Sequence, residues 1–282
     1  MYRKISRLTK TIIWIVIIIV TIWMIFPFIW AITTSFKTPS DVYQNKFVPF
    51  IQFIPTLEHW FTEIKQKGPE IFKGLKNSFI VASVSSLLAL CLGTMAGYSL
   101  TRVQFRKFSN TNIMTWLLSL RMLVPVIIVI PYFFLLNSVN LIDTRVGLII
   151  LYTTFNLPIA ILIMRDFIKE VPIELEDSAL VDGCSVWSTF FRIDLPLLKP
   201  GLATTFILCF AFSWNEFLFA LSLTYRKATT IPIIIMGAES TRGIEFWYIS
   251  VRSLLAIIPP LILVLFVQRY IIRGLTMGAV KG

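Results

Sequence analysis

The sequence predicts an all-α membrane protein with six transmembrane helices, and its composition, its apolar runs and one acidic insert indicate this fold. Of its 282 residues, 56% are hydrophobic and only 15% are charged, which is too apolar for a soluble domain of this length. About twenty apolar residues cross the hydrocarbon core of a bilayer, and six stretches reach that length. A charged loop, residues 165–200, separates the fourth stretch from the fifth.

The first apolar stretch, residues 11–33, predicts a retained membrane anchor. The preceding residues 1–10 carry four basic residues and no acidic one. A signal peptide begins in the same way, but its apolar core is shorter and ends in small residues at a cleavage site. We therefore expect residues 1–10 in the cytoplasm, and residues 34–77, which contain four prolines, as an external loop.

Five further spans complete the bundle. Their predicted bounds are 78–100, 113–135, 146–164, 201–223 and 252–272. With the loop at 165–200 they form a permease core over residues 78–272, followed by a cytoplasmic tail at 273–282. Arg102 and Arg273 lie in short segments on the side of the N-terminus, as the positive-inside rule requires when both termini are cytoplasmic. Prolines inside the third, fourth and sixth spans predict kinks.

The net charge of +11 does not indicate nucleic acid binding, because the basic residues lie between apolar spans and not on one continuous face. Three cysteines, at positions 91, 184 and 209, give an odd count without a disulfide framework. His59 is the single histidine and has no cysteine near it in the sequence. No metal site is therefore expected.

The acidic insert predicts two short helices that meet at a glycine. Pro172 suits the first turn of a helix, and Glu174 complements the positive end of that helix's dipole. Gly183 is the usual residue just past a helix C-terminus. Ser185 suits the N-cap of a second helix, which Pro196 ends. We call residues 172–196 the elbow.

The motif spacing in the elbow resembles the EAA loop of ATP-binding-cassette (ABC) importer permeases. That pattern has Glu-Ala-Ala, then a glycine, then Ile-x-Leu-Pro; here an aspartate and a serine replace its first two residues. The resemblance implies a coupling helix that docks in a cleft of a cytoplasmic ATPase, whereas an ordinary amphipathic connector is the structural alternative. The implied coupling residues are Glu174, Asp177, Ser178, Ala179, Asp182, Gly183, Ile193, Leu195 and Pro196.

The resemblance extends over most of the chain after Asn77 and is to carbohydrate permeases of the maltose-transporter type. It is carried by segments 119–125, 140–144, 213–217 and 268–282. The closing residues are similar to the tail of the smaller maltose permease subunit, which enters the ATPase dimer interface. The resemblance implies tail contacts by Gly278, Lys281 and Gly282; a solvated tail is the alternative.

Two ionisable residues fall inside predicted spans, Arg121 in the third and Glu216 in the fifth. Each costs about 2.5 to 3.5 kcal/mol if it faces lipid, so neither is expected there. One interpretation places them on a solute pathway with Trp214 and Asn215; the other makes them a polar clamp between helices. A direct Arg121–Glu216 ion pair is left open.

The sequence contains no phosphate-binding loop of the G-x-x-x-x-G-K-[ST] type and no catalytic constellation. We therefore expect a transport permease that is not an enzyme and binds no cofactor, with ATP and Mg in a partner ATPase. The resemblance implies a second permease, two ATPase subunits, an extracytoplasmic binding protein and a di- or oligosaccharide, polyol or glycoside substrate, in the bacterial inner membrane. An ion-coupled secondary transporter with Glu216 as its titrating group is the alternative.

Overall fold

The computed structural model describes residues 6–44, 46–105, 109–240 and 243–279. It is mostly helical and divides into two compact units, Met1–Ile71 with Ile235–Ile257, and Phe72–Ile234 with Ile258–Gly282. The helices are α1 Arg7–Ser35, α2 Pro39–Tyr43, α3 Glu58–Arg102, α4 Asn110–Arg121, α5 Pro125–Ser138, α6 Arg145–Lys169, α7 Ile173–Val181, α8 Val186–Thr189, α9 Leu195–Leu197, α10 Lys199–Trp214, α11 Leu218–Leu223, α12 Ile231–Met236 and α13 Phe246–Ala279.

Within the described residues, four helices are long and apolar enough to cross a membrane, and the number rises to six if each of two bent helix pairs is one span. The four are α1, α3, α6 and the part of α13 up to Gln268. The bent pairs are α4 with α5 and the helical segment Val186–Leu197 with α10. The coarser part of the prediction, a mostly helical chain with several candidate membrane spans, is therefore confirmed, whereas the count of six is not fixed by these helices.

Helices α3, α6 and α10 form the centre of the second unit. A Cβ atom on Gly93 would lie 2.7 Å from the Ala160 Cβ, and one on Gly97 would lie 3.0 Å from the Arg165 backbone nitrogen. Small residues allow such close approach of two helix backbones, which is the usual way in which helices associate in a bilayer. The α3–α6 contact therefore requires glycine at both positions.

The third predicted span is not one straight helix. Helix α4 ends at Arg121, α5 begins at Pro125, and the two axes differ by 90°. Proline disfavours the helical conformation in the residue before it, and Val124 accordingly has an extended backbone with ψ of 124°. The fifth predicted span, 201–223, is likewise interrupted, between Trp214 and Leu218.

Three other segments differ from the sequence expectation. The expected external loop 34–77 already contains α2 and the beginning of α3, and α13 continues as a helix through most of the expected tail, to Ala279. The fold is also not purely helical, because Glu239–Ser240 (β1) pairs antiparallel with Gly243–Ile244 (β2). Gly243 has φ of 108°, a conformation open to glycine at little cost.

The first unit contains a buried ion pair between Glu63 and Arg252. The Arg252 Nε and Nη2 atoms donate to the two Glu63 carboxylate oxygens at 2.8 and 3.0 Å. His59 lies nearby in sequence and is packed against the rings of Trp247 and Tyr248, at centroid distances of 5.6 and 5.4 Å.

Candidate functional site

The elbow has the predicted helix, glycine and helix order. Helix α7 ends at Val181, and Gly183 has φ of 86° with nothing within 4 Å of the position a Cβ would occupy. The Ser185 side chain accepts a hydrogen bond from the Ser188 amide at 3.3 Å and so caps the next helix. That helix continues through a π-helical turn at Phe190–Asp194 into α9. The elbow's bend is therefore a backbone property of Gly183.

The predicted coupling residues divide into an exposed and a covered group. Ala179 is buried, and Ile193 and Leu195 are half-buried, so these three form the covered group. The others face outward and leave an acidic surface uncovered in the described chain. The exposed residues are Glu174, Asp177, Ser178, Asp182, Gly183 and Pro196.

The root of the elbow is held by an ion pair with the end of α3. Arg102 Nε donates to the Glu176 carboxylate at 2.6 Å, and Arg102 Nη2 donates to the carbonyl oxygens of Ile168 and Val171 at 3.2 and 3.0 Å. The Tyr98 hydroxyl donates to the second Glu176 oxygen at 2.9 Å. One guanidinium therefore ties the end of α6 and the first elbow helix to the end of α3.

A second carboxylate lies beside this ion pair without a hydrogen-bond partner. Asp194 is 1% exposed, and neither of its oxygens has a hydrogen-bond partner within the described chain. Burial, together with the charge of Glu176, raises the pKa of Asp194 to about 6, although Arg102 acts in the opposite direction. The root of the elbow is thus a cluster of two acids and one base.

The sequence interpretation missed this cluster, because it assigned Glu176 only to the dipole of the first elbow helix and Asp194 only to the Ile-x-Leu-Pro motif. The spacing within the first elbow helix could have indicated that Glu176 is buried. Glu176 is three residues before Ala179 and shares its helix face, so a buried Ala179 implies a buried acid that needs a cation. The sequence could not show that Arg102, 74 residues away, supplies that cation.

Arg121 lies between aromatic rings. Its guanidinium carbon lies 5.1 Å from the Phe155 ring centroid and 4.7 Å from that of Phe212, within range of cation–π attraction. Its Nη1 also donates to the Phe155 carbonyl oxygen at 3.3 Å. Arg121 also lines a cavity of about 210 Å³ that includes Tyr132 and Thr154.

Glu216 has a separate set of partners, so the Arg121–Glu216 pair is not formed. Its carboxylate accepts from the Tyr152 hydroxyl at 2.9 Å and from the Phe219 and Ala220 amides at 3.0 to 3.2 Å. It therefore satisfies the first amides of α11, where the fifth span is interrupted. The contacts of Glu216 with Tyr152 and with α11 both fit the interpretation of a polar clamp between helices.

The two neighbours of Glu216 differ in exposure. Trp214 is buried and stacks on Phe210 at 5.5 Å. Asn215 is exposed, and its side-chain amide donates to its own helix at Ala211. Of the four candidate pathway residues, Arg121 and Asn215 thus have access to a cavity or the surface, whereas Trp214 does not.

A buried polar contact links the three central helices and was not predicted. Asn156 Nδ2 donates to the Ser213 hydroxyl at 2.8 Å, and the Ser85 and Ser213 hydroxyls are 3.2 Å apart. Such contacts between small polar side chains stabilise helix association in lipid. They join α3, α6 and α10 at one level.

Another carboxylate fixes the loop before α6. Asp143 accepts from four consecutive backbone amides, those of residues 225–228, at 2.9 to 3.3 Å. Its own amide donates to the Leu223 carbonyl at 2.9 Å. Although burial acts in the opposite direction, these amides lower the pKa of Asp143.

The remaining predictions concern the tail and metals. Gly278 lies in α13, whereas Lys281 and Gly282 lie outside the described residues. Within the described part of the chain, no group of three His, Cys, Asp or Glu side chains is placed to share a metal ion.

These features define a helical membrane protein with an exposed acidic elbow. The chain belongs to the family of binding-protein-dependent transport system inner membrane components, whose sequence model matches residues 89–277. This membership does not favour the ion-coupled alternative.

Named relatives align over nearly the whole chain. The chain is 34% identical over 259 residues to the trehalose transport system permease protein SugB of Mycobacterium tuberculosis, covering 91% of this chain and 92% of that protein. It is 31% identical to the trehalose/maltose transport system permease protein MalG of Thermococcus litoralis, covering 94% of each. The sulfoquinovosyl glycerol transport system permease protein SmoH of Agrobacterium fabrum is 30% identical, with 92% and 89% covered.

Solved structures share the fold. One chain of a bacterial ABC transporter involved in the import of the acidic polysaccharide alginate aligns with a TM-score of 0.73 at 18% identity, covering 96% of this chain and 99% of that one. A chain of the alginate transporter in complex with an alginate pentasaccharide-bound periplasmic protein aligns with a TM-score of 0.67 at 17% identity, with 92% of each covered.

Proposed function

We propose that this chain is the transmembrane permease subunit of an ATP-driven, binding-protein-dependent importer of a di- or oligosaccharide or a related polyol or glycoside. The main support for this proposal is family membership, combined with near full-length similarity to permeases named for trehalose, maltose and sulfoquinovosyl glycerol. The importer works by alternating access in the bacterial cytoplasmic membrane, with six spans and both termini in the cytoplasm.

The importer needs partners that this chain does not supply. The sequence has no phosphate-binding loop, so two separate ATPase subunits hydrolyse ATP with Mg. A second permease completes the pathway, and an extracytoplasmic binding protein delivers the sugar. A binding protein of this kind is present in the alginate transporter complex that shares the fold.

The elbow couples the ATPase to the bundle. Its outward residues Glu174, Asp177 and Asp182 are exposed and form the docking surface. Its inward residue Glu176 is tied to Arg102 at the end of α3. Movement of the docked elbow therefore reaches α3 through one charged contact, which is short and desolvated. The tail residues Gly278, Lys281 and Gly282 form a second ATPase contact.

The solute pathway passes Arg121. The rings of Phe155 and Phe212 flank its guanidinium, and the adjoining cavity offers the hydroxyls of Tyr132 and Thr154. Aromatic faces and hydroxyl groups suit a polyhydroxylated solute. Asn215 lies on the same pathway, whereas Glu216 serves to hold the interruption of the fifth span, as its contacts with Tyr152 and α11 indicate.

Uptake into proteoliposomes tests the function. The complete importer, reconstituted with its binding protein and internal ATP, should accumulate labelled trehalose, maltose or a related glycoside from a panel. Omission of ATP or of the binding protein should abolish uptake, because the permease itself has no energy source. Accumulation driven by a proton or sodium gradient without ATP would contradict the proposal.

Gly183→Val tests the elbow. A β-branched residue at φ of 86° adds backbone strain of about 1 to 3 kcal/mol, which should unwind the bend while the spans stay inserted. We expect uptake to fall to background at normal permease abundance, with fewer ATPase subunits retained on purification.

Gly183→Asn is the matched control, because asparagine tolerates a left-handed backbone. It should retain most of the uptake. Equal uptake by the valine and asparagine variants would show that the bend is not needed for coupling.

A further inference from the structure

An apolar turn, residues 47–54, follows the first long helix. Seven of its eight residues are apolar, with Gln52 as the exception. Three of its side chains are almost fully exposed: Phe50 at 85%, Ile51 at 84% and Ile54 at 83%. Exposure of three large apolar side chains within five residues is unfavourable in water. Some apolar medium must therefore cover this turn.

The turn lies beside the lipid-crossing part of α1. The Phe47 ring stacks on the Phe26 ring with centroids 5.8 Å apart. The apolar run of α1 continues to Ile32 and gives way to Thr33. Phe26 is six residues before Ile32, which places it about 9 Å below the end of that run. The start of the turn is therefore packed against the apolar run of α1.

Four backbone amides of the turn are hydrogen-bonded within it. The Phe50 amide donates to the Phe53 carbonyl at 2.8 Å, and the Gln52 amide donates to the Val48 carbonyl at 2.9 Å. The side-chain oxygen of Gln52 accepts from the amides of Phe47 and Val48 at 2.6 and 2.8 Å. This pairing lowers the cost of bringing the turn's irregular backbone to the membrane interface, where its other polar groups stay within reach of water and headgroups while its side chains reach the acyl chains.

Cations lie at the base of the turn and fix its orientation. The ammonium of Lys37 lies 5.7 Å from the Phe47 ring centroid and 5.4 Å from that of Phe53. Lys46, just before the turn, pairs with Asp41 at 2.7 Å. A charged base with an apolar tip is the arrangement of a segment that inserts into the membrane interface.

We propose that the turn at residues 47–54 inserts into the lipid leaflet at the Ser35 end of α1, with Phe50, Ile51 and Ile54 in contact with acyl chains. The turn anchors the segment between α1 and α3 to the bilayer. This inference does not depend on which solute the importer carries.

Photocrosslinking in the assembled importer, held in phospholipid nanodiscs, tests the proposal. Benzoylphenylalanine replaces Ile51 in one variant and Phe50 in a second, so that failure of one variant to assemble does not end the test. Trp23, which is 81% exposed on α1, gives the lipid-facing reference, and the exposed Lys65 of α3 gives the water-facing one. Adducts are identified by mass spectrometry.

We expect lipid adducts at position 51 to match those at position 23 and to exceed those at position 65 by about tenfold or more, because a tip in hydrocarbon has lipid as its neighbour. Adducts to the partner permease or to the binding protein would show a protein-docking surface and overturn the proposal. Lipid adducts no more frequent than at position 65 would likewise overturn it.

Discussion

Two buried aspartates, Asp143 and Asp194, have opposite electrostatic environments. Asp143 accepts hydrogen bonds from four consecutive backbone amides, and its pKa is lowered. Asp194 lies beside Glu176 with no hydrogen-bond partner within the described chain, and its pKa is raised to about 6. The first carboxylate is stabilised as an anion; the second is stabilised as the neutral acid.

This difference in hydrogen bonding predicts which of the two segments, the loop at residues 225–228 or the elbow, is the more rigid. Backbone amides cannot rotate away, so Asp143 holds residues 225–228 in one conformation. The elbow instead depends on side chains, chiefly the Arg102–Glu176 pair, which long side chains can preserve while helices shift. We therefore expect the Asp143 loop to be more rigid than the elbow.

The signs of the pH dependence also differ. The contribution of Asp143 is present above its unfolded pKa and is lost as pH falls through its lowered folded pKa. The contribution of Asp194 is present below its unfolded pKa, 3.8, and is lost as pH rises through about 6. At neutral pH the elbow therefore carries an unfavourable charge that the Asp143 loop does not.

The largest effect is expected from Arg102→Met. Glu176 would stay buried without its cation, next to Asp194, and breaking such a pair costs about 3 to 5 kcal/mol. The melting temperature of the purified complex should fall, and ATPase subunits should be lost on purification.

Arg192→Met is the matched control, because Arg192 is an exposed arginine on the elbow itself; it should leave both measurements unchanged. The double variant Arg102→Met, Glu176→Met should recover much of the stability, because an apolar pair carries no unpaired charge. Normal ATPase retention in Arg102→Met alone would show that the pair does not hold the elbow.

Asp143→Asn should have an intermediate effect. Asparagine keeps the shape but offers one acceptor oxygen and an NH₂ group to amides that need acceptors, at a cost of about 2 kcal/mol. Limited trypsin digestion should then cut after Arg226 or Lys227 faster than in the parent protein. Asp166→Asn, at an exposed aspartate, is the control, and equal cleavage of the two variants would contradict the fixed-loop interpretation.

The smallest effect is expected from Asp194→Asn. Removal of an unpartnered charge should stabilise the complex by about 1 to 2 kcal/mol at neutral pH. Melting temperatures measured between pH 4 and pH 8 should decline in the parent protein as pH rises toward about 6, and this decline should be absent in the variant. The control variant Asp182→Asn, at an exposed acid of the elbow, should keep the pH profile of the parent protein. Identical pH profiles for the parent and both variants would show that Asp194 does not cause the pH dependence.

The sequence by itself determined the membrane class, the apolar spans and the bend at Gly183. These are local properties: span length follows from bilayer thickness, and the bend follows from the backbone freedom of glycine. The EAA-like spacing also directed attention to the elbow, whose coupling role stays a prediction. Its exposed acids were found because an insert between two apolar spans must face water.

Only the tertiary structure decided which charged groups meet. Arg102 reaches Glu176 across 74 residues, and Phe47 reaches back to Phe26; neither contact has a periodic signal. Arg121 and Glu216 were named together from the sequence, yet each has its own partners. Side-chain pairing depends on how separate helices pack, where a kink at Val124 or a close approach at Gly93 moves a charge by several ångströms, and sequence spacing does not record such displacements.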